Sequence, residues 1–321
     1  MVMSKVKVII GAVFFTCILY FLSVYWSFEP DTFNPDSYAA EQAKLNHQTL
    51  TTGYETTTTL IHISELLINK SGGFLTNDKL PPSLLMDNMP AWETGVLTQV
   101  RDMALVLKDN LSRPQNESHI DSDLKEAQPA LNINSHSWNF PSAETEYQNA
   151  IDALTRYRDR LSASRHPAQF YSRDDNLVAW LEVVQKRLGT ISQDLGSSVG
   201  EPQLIMDSKA EGKEVSLNAP KTSWFKIDNI FYESRGSTWA ILLLMKAMKH
   251  DFEPLLEEEK ATVMIDQIIR ELEATQETVW SPMILNGMGF GLLPNHSLIM
   301  ANYVSRAQAG TVDLINLLEK R

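Results

Sequence analysis

The first long apolar run lies near the N-terminus. The stretch "VIIGAVFFTCILYFLSVYW", Val8 to Trp26, holds no charged residue and follows Lys5 and Lys7. About 20 apolar residues are enough for a helix to cross the hydrocarbon core of a bilayer. The run closes with a Tyr-Trp pair, and aromatic side chains are enriched at membrane interfaces. The pattern predicts a transmembrane helix over residues 8–27.

A cleaved signal peptide is the alternative for this run. Its apolar region is usually about 7–15 residues long, with small residues before the cleavage point. Here the run is longer, and "VYWSF" lacks the small-x-small pattern. Bulky aromatics also precede Cys17, which argues against a lipoprotein attachment site. We therefore expect an uncleaved anchor.

The flanking charges predict the orientation of this anchor. Lysines precede the run, whereas Glu29, Asp31 and Asp36 follow it. By the positive-inside rule, residues 1–7 form a short cytoplasmic tail and the chain after about residue 28 is exported to the periplasm. An exported domain has no ready supply of ATP or NADH. So short a tail also cannot hold the output domain of an ordinary receptor kinase.

Apolar positions that recur every three or four residues predict helices through most of the remaining chain. The predicted helices are 38–70, 92–111, 143–161, 174–195, 226–250, 255–279 and 295–319. The first is the weakest, because its threonine-rich middle, "TLTTGYETTTTL", would also suit a strand. Almost no strand pattern and no internal repeat occur. The predicted fold class is all-α: one transmembrane helix and an exported multi-helix bundle with little or no β-structure.

Three segments are predicted to lie outside helices. Residues 80–92 contain three prolines and large apolar side chains, so we expect a loop packed on the core. Residues 113–141 are polar and turn-rich, which predicts a mobile surface loop with room for a short extended pair near 130–140. Residues 196–222 are small, polar and charged, which is typical of a linker or long loop. That linker separates exported halves 28–195 and 223–321, which form either one core or two domains.

Composition narrows the function classes. The chain has 321 residues, 43% of them hydrophobic, and a formal net charge of −12. This charge argues against a nucleic-acid partner, since binding phosphates needs clustered Lys and Arg. It also argues against an exported part that lies on an anionic lipid surface. Because Cys17 is the single cysteine and falls inside the apolar run, the exported part has no disulfide, cysteine nucleophile or thiolate metal ligand.

The stretch "WSPMILNGMGFGLLPNHS" places Gly287, Gly289 and Gly291 at alternate positions. A dinucleotide-binding glycine motif follows a strand and opens a helix, and a P-loop carries a lysine. Here a helical pattern comes before the glycines and no lysine follows them, so we predict no nucleotide site. The segment is instead expected to connect two helices, with Asn295 as the cap of the second.

The same region carries the strongest candidates for a metal or catalytic site. Glu273 and Glu277 are four residues apart, which would place them on one helix face near His296. His62 and Glu65 in "HISE" have a helical spacing that is common by chance. The His-Glu-x-x-His and Glu-x-x-His metal motifs are missing, as is a G-x-S-x-G nucleophile elbow. We therefore assign no catalytic residue, metal ligand or cofactor.

A candidate binding or active-site region can still be named from polar groups and glycines. Its members are Arg270, Glu273, Asn286, Gly287, Gly289, Gly291, Asn295 and His296.

Three long stretches resemble the signatures of a Gram-negative bacterial family of unknown function. They are "LLINKSGGFLTNDKLPPSLLMDNMPAWETGVLTQVRDMA", "FYESRGSTWAILLLMKA" and "IIRELEATQETVWSPMILNGMGFGLLPNHSLIMANYVSRA", the last with the pattern WSPMILNG-x-GFGLL-x-NHS. The resemblance covers most of the chain except 113–140 and 197–220. It implies one inner-membrane span and a helical periplasmic domain. It brings no activity, so no catalytic residue transfers.

Taken with the anchor, these patterns favour a non-enzymatic interaction or scaffold module of the cell envelope. Its expected partners are the membrane, through the N-terminal helix, and an envelope protein or a second copy of the chain. One alternative is an envelope enzyme, a hydrolase or metal-dependent, with its site near 270–296. Another is a helical ligand- or lipid-binding domain of the sensor type.

Overall fold

The computed structural model describes residues 2–114, 120–165, 167–199, 222–223, 226–281, 283–287 and 293–320. Over these residues the protein consists of α-helices and connecting turns, without a β-strand. The predicted all-α class is confirmed. The helices are α1 (Val2–Trp26), α2 (Pro35–Leu45), α3 (Tyr54–Asn69), α4 (Asn88–Val106), α5 (Ser122–Leu131), α6 (Ala143–Ser162), α7 (Asp174–Val199), α8 (Ile227–Asp251), α9 (Glu253–Glu258), α10 (Thr262–Ala274) and α11 (His296–Leu318).

Helix α1 has the length and composition of a membrane span. Its apolar part, Lys5–Trp26, is 22 residues long, has a mean hydropathy of 2.3 and buries none of its most apolar window in the protein. Only its end contacts the bundle: a Cβ added to Gly72 would lie 2.7 Å from the Trp26 side chain. The apolar helix therefore stands clear of the other helices, with its last residue against the loop after α3.

Helices α4 and α8 cross at two glycines. A Cβ added to Gly95 would lie 2.1 Å from the Glu233 carbonyl oxygen, and one added to Gly236 would lie 2.1 Å from the Trp92 carbonyl oxygen. Trp92 also packs against Trp239, with ring centroids 5.2 Å apart. Any side chain at either glycine would push the helices apart, because both obstacles are backbone atoms. The crossing fixes α8 in the centre of the bundle.

The two predicted halves share one hydrophobic core over the described residues. A single cluster of buried side chains includes Leu60 and Leu181 from the first half and Leu243 and Leu314 from the second. Helix α7 also continues to Val199, so the first four residues of the predicted linker are helical. The rest of that linker, 200–221, lies outside the described residues.

The predicted helix 38–70 is wrong as a single element. Helix α2 ends at Leu45 and α3 begins at Tyr54, with a turn between them. The turn holds His47 at φ 53° and Gly53 at φ 85°, which are left-handed backbone conformations that a helix does not contain. The threonine-rich stretch is helical from Tyr54 onward, and residues 56–59 are fully buried. Packing therefore outweighs the weak helix propensity of threonine.

Two predicted loops contain helix. Within the polar segment 113–141, Asp121 caps α5, which buries Leu124 and Leu131. The extended pair near 130–140 does not form among the described residues. The loop 80–92 ends early, because α4 begins at Asn88.

The prediction of one helix over 255–279 also needs correction. Helices α9 and α10 are separated by a turn at Lys260, whose φ is 55°. Helix α10 then ends at Ala274. The other predicted helices agree closely with α4, α6, α7, α8 and α11. The predicted cap Asn295 accepts a backbone N–H group of α11, and Ser142 does the same for α6.

Candidate functional site

The glycine-rich segment closes on itself before α11. Asn286 and Asn295 form an antiparallel bridge. The Gly287 N–H donates to the Pro294 carbonyl at 3.1 Å, and the His296 N–H donates to the Leu285 carbonyl at 2.9 Å. The segment is thus a closed corner between α10 and α11, as the helix-connection prediction requires. Gly289 and Gly291 lie outside the described residues.

Gly287 and the two asparagines stabilise this corner. A Cβ at Gly287 would lie 2.4 Å from the Leu293 carbonyl oxygen, so the two backbone segments of the corner approach too closely for a side chain there. Asn295 Nδ2 donates to the Gly287 carbonyl at 2.8 Å, while its Oδ1 accepts the Leu298 N–H at 2.9 Å and caps α11. Asn286 Oδ1 accepts the Ser297 N–H at 3.4 Å. These polar groups therefore make their hydrogen bonds within the protein.

His296 is held neutral by its position in the corner. Its Nδ1 accepts the Leu285 N–H at 2.9 Å, which places the ring proton on Nε2. The ring meets Phe231 at an edge-on angle, with centroids 6.3 Å apart. Burial lowers the pKa of His296 below its ordinary value, because the charged imidazolium loses solvation.

A cleft of about 470 Å³ opens beside this corner. We call it the anchor-side cleft, and it is lined by Phe231, Arg235, Ala274, Thr275, Glu277, Thr278, Val279, Trp280, Ser281, Pro294, His296, Ile299 and Met300. Two large apolar side chains that line the cleft are exposed, Trp280 at 92% and Ile299 at about half, and Met283 and Leu293 in the adjoining segment are each more than half exposed. Such a concentration of exposed apolar groups marks interaction sites more often than ordinary surface.

Arg235 connects the anchor-side cleft to the chain that leaves α1. Its Nε donates to Glu29 Oε2 at 2.7 Å. Its Nη1 and Nη2 donate to the carbonyls of residues 275–277, just beyond α10, at 2.8–3.1 Å. Glu29 follows Trp26 by three residues, which span at most about 11 Å. The cleft therefore lies next to the end of the apolar helix.

Two predicted site residues lie elsewhere. Arg270 is exposed and donates to Gln267 Oε1 at 2.6 Å, while Glu273 pairs with Lys246 at 2.6 Å. Neither side chain lines the anchor-side cleft. Glu277 lies beyond the last residue of α10, so the prediction that it shares a helix face with Glu273 is wrong.

The loop at residues 80–87 is also separate from the anchor-side cleft. Leu84 and Leu85, in the 3-10 turn of this loop, are exposed rather than packed on the core as expected. His62 and Glu65, which the sequence places at helical spacing, are in contact: His62 Nδ1 lies 3.4 Å from Glu65 Oε2.

Sequence analysis missed a second cleft, of about 490 Å³, which we call the acidic cleft. Its lining residues are Thr32, Phe33, Asn34, Asp36, Glu55, Lys246, Lys249, His250, Glu253, Asp266 and Ile269. Ligand-type atoms of Asp36, Glu55 and His250 all lie within 4.8 Å of one another. These three come from α2, α3 and α8, so no spacing in the sequence connects them.

The buried carboxyl groups beside this cleft are strongly perturbed. Burial, with Asp251 and Asp36 nearby, raises the pKa of Glu55 to about 9. Burial likewise raises the pKa of Asp251, whose oxygens accept the N–H groups of Gly53 and Thr56 at 2.7 and 2.8 Å and cap α3. Asp251 therefore has a structural task, whereas the buried Glu55 faces the cleft.

Comparison with known families gives one match. From residue 1 to residue 321, the chain matches the model of a family described as "uncharacterized protein conserved in bacteria (DUF2333)". The chain belongs to this family. Membership in DUF2333 confirms the resemblance to a bacterial family of unknown function, and it assigns no activity or site residue. No curated protein and no solved structure matches the chain.

Proposed function

We propose that this DUF2333 protein is a non-enzymatic interaction module of the Gram-negative envelope, anchored in the inner membrane by α1 with its bundle in the periplasm. Its binding site is the anchor-side cleft. The observation that carries the proposal is the exposure of Trp280 and Ile299 in a cleft that lies next to the end of α1.

The occupant we propose is an apolar segment of another membrane protein. A cleft whose Arg235 is bound to Glu29, three residues beyond the anchor end, meets partners that are themselves at the membrane surface. Trp280 suits such a place, because its ring favours the boundary between apolar and aqueous surroundings. The chain's net charge of −12 disfavours anionic lipid headgroups as the main ligand. A protein segment fits both the apolar lining and this charge.

The orientation rests on the charges that flank α1. Lys5 and Lys7 precede the apolar stretch and Glu29 and Asp31 follow it, which favours export of the bundle. Alkaline phosphatase, which is active only after export, should be active when fused to the C-terminus. An inactive fusion, with β-galactosidase active at the same position, would contradict the periplasmic placement.

Photocrosslinking in cells tests the binding site. A photoreactive amino acid at position 280 should give one reproducible adduct with a membrane protein, identified by mass spectrometry. Position 263 is the matched control, since Val263 is 73% exposed but lies at the other end of α10, about 18 Å from Thr275 along the axis. Equal labelling at both positions, adducts with lipid alone, or no adduct at 280 would overturn the proposal.

A further inference from the structure

The acidic cleft brings together three donor groups from distant parts of the chain. Asp36 lies in the first turn of α2, Glu55 in the first turn of α3 and His250 in the last turn of α8. One donor atom from each lies within 4.8 Å of the other two. We propose that Asp36, Glu55 and His250 form a binding site for a divalent metal ion such as Zn²⁺ or Mn²⁺.

The two carboxyl groups of this cluster have no lysine or arginine partner among the described residues. Glu55 is buried, with its side chain 4% exposed, and its ion-pair partner is His250, with Nδ1 2.7 Å from Oε2. A buried carboxylate close to a second carboxylate is costly unless positive charge compensates it. A divalent ion would supply that charge.

The lysines of the acidic cleft do not meet this need. Lys249 Nζ pairs with Asp266 Oδ1 at 2.6 Å, and Lys246 Nζ pairs with Glu273 Oε1 at 2.6 Å. Both ammonium groups are thus held by carboxylates of α10 rather than by the donor cluster. Neither lysine pairs with a carboxylate of the donor cluster, although both line the same cleft.

The exposure of the donors differs in a way that suits binding. Glu55 is buried, whereas His250 is about half exposed and Asp36 faces the opening. Around a tetrahedral ion, donor atoms at about 2.0–2.2 Å lie roughly 3.4 Å apart, so a movement of at most about 1.5 Å completes the site. The exposed Asp36 side chain has the freedom to make that movement. The open cleft leaves further coordination positions for water.

The donor set limits the class of ion. Two carboxylates and one imidazole give oxygen and nitrogen donors without sulfur, and imidazole favours zinc-like ions over Mg²⁺ and Ca²⁺. Three protein ligands with an open position are typical of zinc sites that also bind water. We therefore expect Zn²⁺ and Mn²⁺ to bind more tightly than Mg²⁺ and Ca²⁺.

Calorimetric titration of the full chain in detergent, stripped of metal and of any purification tag, tests the site. Zn²⁺ and Mn²⁺ should each bind one to one and raise the melting temperature. Glu55→Gln and His250→Gln should each weaken binding at least about tenfold. In the pulsed electron paramagnetic resonance of bound Mn²⁺, His250→Gln should remove the signal of a coordinated nitrogen.

Two variants serve as matched controls. Glu253→Gln and Glu257→Gln alter exposed carboxylates of α9 outside the donor cluster, so each should change affinity by less than about twofold. If Glu55→Gln does not fold, His250→Gln decides the question, since its ring is half exposed. Failure of both metals to bind, equal weakening by controls and donor variants, or tighter binding of Mg²⁺ than of Zn²⁺ would overturn the proposal.

Discussion

The anchor-side cleft and the acidic cleft have similar volumes and opposite chemistry. In the first, Asn286, Asn295 and Arg235 direct their polar atoms into hydrogen bonds of the fold, and apolar side chains are left exposed. In the second, Glu55 pairs with His250 Nδ1 at 2.7 Å, and neither Glu55 nor Asp36 pairs with a lysine or arginine among the described residues. The difference favours an apolar partner for the first cleft and a cation for the second.

Helix α8 carries residues of both clefts. Phe231 and Arg235 line the anchor-side cleft, while Lys249 and His250 line the acidic cleft. From residue 231 to residue 250 the helix rises about 28 Å. The two sites are therefore well separated, yet both depend on how α8 is seated.

The largest effect on stability is expected from a change at the crossing of α4 and α8, because both clefts depend on the position of α8. Gly236→Ala places a methyl group about 2 Å from the Trp92 carbonyl oxygen, so α4 and α8 must separate. Overpacking of this kind costs typically about 1–3 kcal/mol, and we expect the upper end. Thermal unfolding of the full chain in detergent should show the loss, and both crosslinking at residue 280 and metal binding should suffer together.

Gly189→Ala is the control for this change. Gly189 also lies inside a helix, but the nearest atom to an added Cβ belongs to the flexible end of the Gln308 side chain. We expect little change or a small gain in stability. A Gly236→Ala protein as stable as this control would show that the crossing does not depend on the glycine.

A smaller effect that separates the clefts is expected from Arg235→Gln. The change removes the ion pair with Glu29 and most of the hydrogen bonds to residues 275–277, groups that are largely buried. Loss of such charged hydrogen bonds costs about 2 kcal/mol. The melting temperature should fall and crosslinking at residue 280 should weaken, while the affinity of the acidic cleft for Zn²⁺ stays the same.

The matched control is Arg156→Gln, which removes half-exposed ion pairs with Asp123 and Glu126 away from both clefts, while Asp123 keeps its pair with Arg160. It should cost less than about 1 kcal/mol, because solvent screens such pairs. Equal destabilisation by the two arginine variants would contradict a special place for Arg235.

The contribution of His296 to stability is expected to depend weakly on pH, with a definite sign. Burial lowers the pKa of His296, so the unfolded chain binds a proton before the folded chain does. Stability from this group is present above the ordinary histidine value of 6.5 and falls as the pH drops below it. In His296→Asn, whose Oδ1 can still accept the Leu285 N–H, melting temperatures at pH 7.5 and 5.5 should differ less than in the parent protein. An unchanged difference would contradict this role.

The smallest effect on stability is expected from Trp280→Ser. The side chain is almost fully exposed, so its removal takes little buried area from the fold. The melting temperature should stay within about 1 °C of the parent value, while recovery of the crosslinked partner from a neighbouring probe at residue 283 should fall. A clear loss of stability would mean that Trp280 packs on the protein itself and is not available to bind a partner.

The helices were predictable where local chemistry and packing agree. Ser142 and Asn295 cap helices that the sequence predicts, and the apolar period of α7 matches its buried face, whereas α8 is buried at every position from 236 to 245. Errors occurred at short turns such as His47 and Lys260, where non-glycine residues adopt positive φ. Helix α5 was missed because its few buried residues stand in a polar segment.

The two clefts also differ in how far apart their residues lie in the sequence. Asn286, Gly287, Asn295 and His296 are close in the sequence, so reasoning from sequence found their corner. Arg270 and Glu273 were grouped with them although they lie on other faces of α10. The acidic cleft depends on α2, α3 and α8 meeting in space, and no local pattern of Asp36, Glu55 or His250 reports that meeting.

We propose that the anchor-side cleft lies at the membrane surface, while the other end of α10 stands in the aqueous compartment. Spin labels test it, once Cys17, the single native cysteine, is replaced by serine and cysteines are placed at positions 280 and 263. In lipid nanodiscs, the label at 280 should be relaxed more strongly by oxygen, and the label at 263 by a water-soluble nickel complex. Two labels with the same aqueous accessibility would contradict the account.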